Sequence, residues 1–322
     1  VEKAMKFVRI SSLVVGLLAV IGVNASPALA DGESLENQPA LARAAASFLL
    51  YQDDIDSVNG RPIQTPNDVR EILQQIGGHN TRSLTAGFVA YGALIAARDP
   101  EFATAIREIA ASWGRERIVM DLPSDPSYAA SLAGADRAIA AAQNDIRQSI
   151  QRAQSIGEKM IAQSYSLQKV AWGTQRALDK DAQIAALSQR SAAPRPTPAD
   201  IVARLLAPNS SDGLASFPTA SPSSAIQRVA FQTKASRQNT ANALLTAAAY
   251  FVLEPNARTL PPGYQAVIED DQTRRCVEFA RLNLHQCVRA AHYVTDIPFC
   301  IGKYLNSDGS NGSAPACFAT TE

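Results

Sequence analysis

The sequence predicts an all-α fold: a multi-helix bundle with one long helix or helical hairpin and a disulfide-stapled C-terminal helical segment. Three observations predict it. Alanine is abundant and aromatics are few, a mix that suits helices meeting through small side chains. Val and Ile do not gather into alternating runs, so the period-2 pattern of strands is missing. Four times a capping residue stands directly before proline: Thr65-Pro66, Asp99-Pro100, Asp125-Pro126 and Thr197-Pro198. A cap side chain accepts from free N–H groups of the first turn, and proline at the first helical position gives up an N–H that would have gone unpaired.

The first thirty residues are set apart from the fold. Lys3, Lys6 and Arg9 form a positive start, 13–23 is an apolar run, and Ala28-Leu29-Ala30 supplies a small-x-small cleavage pattern. This reads as a signal peptide over 1–30, cut after Ala30 to leave Asp31 first. A membrane anchor would need about 20 apolar residues, and this run is shorter and closed by Pro27. Val1 reads as a non-standard start, or translation begins at Met5. No span is expected once the leader is gone; 241–253, interrupted by Asn242 and Thr246, reads as a buried helix.

A helical domain is expected over 31–190. Its first helix covers 40–51. After Thr65, Val69, Ile72, Leu73 and Ile76 fall at i, i+3, i+4 and i+7 and form one apolar stripe, closed by Gly77-Gly78. Asp68 and Asp200, each three residues after a cap, favour the positive end of their helices. Helices over 81–98 and from Pro100 follow, the latter with Phe102, Ile106, Ile109 and Trp113 toward the core and Gly114 at its end. From Pro126 to Arg190 no proline interrupts, and Ile139, Ile146, Ala153, Met160 and Leu167 recur every seven residues. Ser149 and Gln163 spoil the companion series, so a helix lying on the domain, bent near Gly157 or Gly173, is expected over a projecting coiled coil. The segment 191–224 is rich in Pro and Ser and reads as a linker holding one short helix. A C-terminal helical region with two disulfides fills 225–322, with one helix over 270–293.

All four cysteines lie in that last region. An even count in an exported chain reads as two disulfides. On one helix Cys276 and Cys287 would stand roughly 16 Å apart, while a disulfide needs Cα atoms within about 7 Å. Each must reach the segment that turns at Asp296-Ile297-Pro298 and runs back. The nested pairing, Cys287–Cys300 and Cys276–Cys317, is the expectation, with the crossed pairing as alternative. A metal site from these thiols with His285 and His292 is not expected, because zinc ligands prefer a pair two to four residues apart.

The 30 basic and 30 acidic residues cancel, so no overall field selects nucleic acid or an anionic membrane. No phosphate loop, dinucleotide fingerprint, nucleophile elbow or His-Glu-x-x-His pair occurs, and no cofactor is expected. Asp53-Asp54-x-Asp56 before Asn59-Gly60 resembles a calcium loop out of register and reads as a solvated turn. The weak site candidates are His79, on a glycine-freed loop where a general base or ligand contact could sit, its neighbour Asn80, and Trp172, an aromatic face. A capping role for Asn80 or Thr81 and plain packing for Trp172 are the competing readings.

Gly77-Gly78-His79-Asn80, Tyr165-Ser166-Leu167-Gln168, and Leu282-Asn283-Leu284-His285-Gln286-Cys287 through Pro298-Phe299-Cys300-Ile301-Gly302 resemble segments of exported proteobacterial proteins with no assigned activity. The cysteine segment is the most specific of these. The resemblance implies export and a shared fold and brings no reaction with it. The functional expectation is a periplasmic, non-enzymatic helical protein that binds another envelope protein or a cell-wall component. A periplasmic hydrolase or wall-modifying enzyme with its site near His79 is the alternative.

Overall fold

The computed structural model describes residues 35–207, 234–306 and 312–318. Among them are thirteen α-helices and no strand, only an isolated antiparallel bridge between Arg176 and Tyr293. The expected leader 1–30, its cleavage point, and half of the expected linker, 208–224, lie outside the described residues, as do 225–233.

Local chemistry sets several helix starts. Thr65 caps α2 (Pro66–Gly77) through a reciprocal capping box with Asp68. Asp99 caps α4 (Pro100–Trp113), and Asp125 caps α6 (Pro126–Ala130). The fourth expected cap fails. Helix α9 (Ala199–Leu206) begins one residue later, with Pro198 at its cap position and no side-chain cap. Trp113 also departs from expectation: it is 62% exposed at the end of α4, with Arg117 of α5 (Arg115–Asp121) 5.6 Å from its ring centroid.

Helix α1 (Ala40–Ser57) packs along α3 (Thr81–Ala96), and Gly87 lets the two backbones meet. Helix α10 (Lys234–Leu253) lies against α3, α4 and α6. Its consecutive residues Ala247, Ala248, Ala249 and Tyr250 are all buried, as a helix enclosed on every side requires.

The expected long helix is α7 (Ala135–Leu167), 33 residues or roughly 50 Å. It does not run on to Arg190; turns over 168–179 separate it from α8 (Lys180–Arg190). Gly157 does not interrupt the helix. It is where α13 (Asp296–Leu305) crosses α7: a Cβ on Gly157 would lie 2.8 Å from the Gly302 carbonyl oxygen. The turn expected at Asp296-Ile297-Pro298 is instead the first turn of α13, where proline needs no N–H partner. The reversal comes earlier, over 291–295.

Helix α12 (Asp271–Ala290) carries Cys276 and Cys287 on its length. Cys276 is joined to Cys317 and Cys287 to Cys300, each with Cα atoms 5.6 Å apart. The outer bridge holds the short turn Pro315–Phe318 so that the Phe318 ring lies 5.1 Å from Phe48 and 5.0 Å from Phe88. Residues 191–207 join parts of one unit, Glu33–Glu322, rather than separate domains. Ile201, Val202 and Leu205 of α9 are buried, and the helix packs on α1.

Candidate functional site

The α2–α3 loop has two faces with different chemistry. On the inner face, His79 is only 7% exposed, and its Nε2 lies 2.9 Å from Oδ2 of Asp54 on α1. Arg195, on the Pro-rich segment after α8, also pairs with Oδ2 of Asp54, and its Nη1 is 3.3 Å from the His79 Nε2. Gln75 donates to the other Asp54 oxygen at 3.0 Å, and Tyr51 meets the imidazole edge to face at 5.1 Å.

Burial alone would raise the Asp54 pKa, but hydrogen bonds from His79, Gln75 and Arg195 together hold it below the ordinary value. For His79, burial lowers the pKa, and Arg195 and Arg190 push the same way. The Asp54 carboxylate opposes them without winning. The ring is therefore neutral near pH 7, with an Nε2–H directed at Asp54.

The acidic cluster is no solvated turn. Asp53, Asp54 and Asp56 all lie in the last turns of α1. Acids there oppose the negative end of the helix dipole. Each is offset by an arginine from a different element: Arg204 of α9 at 2.9 Å from Asp53, Arg195 on Asp54, and Arg152 of α7 at 2.9 Å from Asp56. These pairs tie α1 to three parts of the chain. A cavity of about 20 Å³, room for one water, opens beside Tyr51, Asp56, Arg152 and Phe318. His79 does not line it.

On the outer face, Asn80 caps α3: its Oδ1 accepts from the Ser83 N–H at 2.9 Å, and its Nδ2 donates to the Ser191 carbonyl at 2.9 Å. Asn80, Thr81 and Arg82 line an open cleft of about 430 Å³, facing Ser191 and α12. From α12 come Asp271, Arg274, Glu278 and Arg281, which fall on one helix face at i, i+3, i+7 and i+10. A second cleft of about 890 Å³, between α1, α3 and α11 (Pro262–Ile268), shares Arg82 and Glu269 with the first.

Trp172 belongs to neither face. It lies in the turns after α7, partly buried against the core, and lines none of these three cavities. Among the described residues no group of three or more His, Cys, Asp or Glu is placed to hold a metal ion.

Sequence reasoning singled out His79 and Asn80, saw Asp54 only as part of an acidic turn, and missed Arg195 and the charged face of α12. The alternating charges at helical spacing were the available signal for the last. Arg195 carried none, since it stands 116 positions from its partner His79.

With this geometry in place, no family model matches the chain, and no curated protein or solved structure matches it either.

Proposed function

We propose that this is an exported, non-enzymatic helical protein of the bacterial cell envelope that works by binding another envelope component. The observation that carries the reading is the position of His79. The best candidate general base is enclosed, its Nε2 directed at Asp54 beside Arg195, with Tyr51 against the ring. A general base needs hydrogen-bond reach to a substrate proton, and the clefts that open to solvent are lined by Asn80, Thr81 and arginine–carboxylate pairs instead. Two disulfides fit an oxidising compartment. No helix among the described residues is long and apolar enough to cross a membrane.

Export is tested by N-terminal sequencing of the protein recovered from the envelope fraction. The expected first residue is Asp31; an intact leader with free thiols contradicts the reading. Binding is tested by in-cell crosslinking and mass spectrometry, together with complementation of a deletion strain by His79→Gln. The expected result is a discrete crosslinked partner and a folded variant that complements. A folded His79→Gln protein that fails to complement would favour the hydrolase instead.

A further inference from the structure

The segment 191–195, between α8 and α9, walls both open clefts. Ser191 lines the cleft beside Asn80, and Pro194 lines the larger one between α1, α3 and α11. Polar bonds from three elements fix this wall. Asn80 donates to the Ser191 carbonyl at 2.9 Å, Arg281 of α12 donates to the Ser191 hydroxyl at 2.8 Å, and Arg195 pairs with Asp54 of α1. Of the residues 192–196, only Arg195 is not exposed. Pro194 and Pro196 have no N–H with which to bind the core. Ser191 is therefore a hinge held from two sides, and Arg195 is the latch.

The latch shares its anchor with a titratable ring. Arg195 and the His79 Nε2 both meet Oδ2 of Asp54, and their nitrogens are 3.3 Å apart. Arg190, the last residue of α8, lies across the same loop: a Cβ on Gly78 would come 2.5 Å from its Cδ. The charged groups acting on the ring are one carboxylate, Asp54, and two guanidiniums, Arg195 and Arg190. Tyr51 of α1 against the ring, and Gln75 of α2 on Asp54, add no charge. With a neutral ring, the cluster already holds one cation more than it has anions. A second ring proton, on Nδ1, raises that excess to two. The His79 and Asp54 side chains are only 6% and 11% exposed, so water screens the added charge weakly. The ring sits on a short loop between two capped helices and has nowhere to go. Arg195 is partly exposed on a chain that faces solvent on either side of it, and it can leave.

We propose that 191–195 is an acid-released gate: protonation of His79 expels Arg195 from Asp54, and the wall around Pro194 moves off the larger cleft. The movement is bounded at both ends. Ser191 keeps Asn80 and Arg281, while α9 keeps its buried Ile201, Val202 and Leu205 and the pair between Arg204 and Asp53. The device goes beyond the envelope-binding reading and does not depend on what the cleft takes up. In the open form the ring regains its ordinary affinity for a proton, with a pKa of about 6.5. Acid therefore favours opening, and for one proton the open-to-closed ratio rises by at most about tenfold per pH unit below that value.

Nuclear magnetic resonance of the whole chain, with both disulfides formed, tests this between pH 7.5 and 5. The His79 ring and the backbone amides of Ala192 and Ala193 are expected to move with one common midpoint, while amides of α9 stay in place. His79→Gln keeps a donor for Asp54 but cannot take up the charge, so it is expected to abolish the shift of the two alanine amides. His285→Gln, which alters the histidine one turn from Arg281, is expected to leave that shift intact. Arg195→Gln is expected to put the Ala192 and Ala193 signals near their acid positions already at pH 7.5. If a variant fails to fold, the midpoints in the unaltered protein still decide. A His79 ring that titrates while Ala192 and Ala193 stay still would overturn the gate. So would a ring that stays neutral to pH 5, or whole-spectrum collapse before it titrates.

Discussion

Burial sets the protonation of His79, and that gives the fold a pH dependence of defined sign. The folded ring holds a proton less tightly than in the unfolded chain, where the pKa is about 6.5. Above that pH the two states carry the same neutral ring and stability is complete. As pH falls below it, the unfolded chain takes up protons first and stability declines toward the folded value. Asp54, held low, adds a separate window: its contribution persists above the ordinary aspartate range and is lost only as pH drops through its folded value. His79→Gln should therefore flatten the slope of urea-unfolding stability between pH 6.5 and 5. His285, also lowered by burial with Arg281 and Arg289 adding to it, contributes a slope of the same sign that the variant leaves in place. At pH 7 the same variant should lose about 1–3 kcal/mol, because the buried Asp54 carboxylate loses the imidazole N–H that lies 2.9 Å from it. An unaltered slope in the variant would contradict the assignment. The sequence made His79 visible as a histidine between two helices, on a loop freed by Gly77-Gly78. Its partners were not visible, because a carboxylate in the last turn of a helix carries no mark of which distant arginine will reach it.

Helices were legible wherever their causes were local. Caps, first-turn prolines and one-sided apolar stripes sit within a few residues of what they determine, and α2, α3 and α4 follow them closely. Helix–helix crossings have no such local cause, and glycine is where this matters most. Gly157 read as a candidate bend and Gly302 carried no structural reading, yet both lie inside helices that touch there. A Cβ on Gly302 would lie 2.6 Å from the Gly157 carbonyl oxygen. Propensity alone would favour alanine at either position by about 1 kcal/mol. Contact with a backbone oxygen cannot be relieved by a rotamer change, and such overpacking costs about 1–3 kcal/mol or more. The steric effect is larger, so Gly157→Ala should be net destabilising by about 1–2 kcal/mol in chemical denaturation. A neutral or stabilising outcome would mean that α7 and α13 can separate without loss.

At the scale of the whole molecule, the C-terminal region closes the core built by the N-terminal helices. Phe318 packs among Phe48, Tyr51 and Phe88, which belong to α1 and α3, and the bridge from Cys276 to Cys317 holds it there. The division into a helical domain, a linker and a C-terminal region followed composition, and composition does not reveal which faces meet. Because the two parts share a core, unfolding should be one cooperative transition, with tryptophan fluorescence and circular dichroism coincident. The two staples should not be equivalent. Chain-entropy reasoning gives about 3 kcal/mol for the 13-residue separation of Cys287–Cys300 and about 4 kcal/mol for the 41-residue separation of Cys276–Cys317. The outer bridge has a second role, since without it the last turn and its buried phenylalanine can leave the core. Undoing the burial of such a ring forfeits up to about 3 kcal/mol. Replacing both outer cysteines by serine should thus lower the denaturation midpoint more than replacing the inner pair. It should also make the C-terminal turn the first site of limited proteolysis. An equal or smaller loss from the outer pair would mean that packing alone holds Phe318, and that the bridge only restrains the unfolded chain.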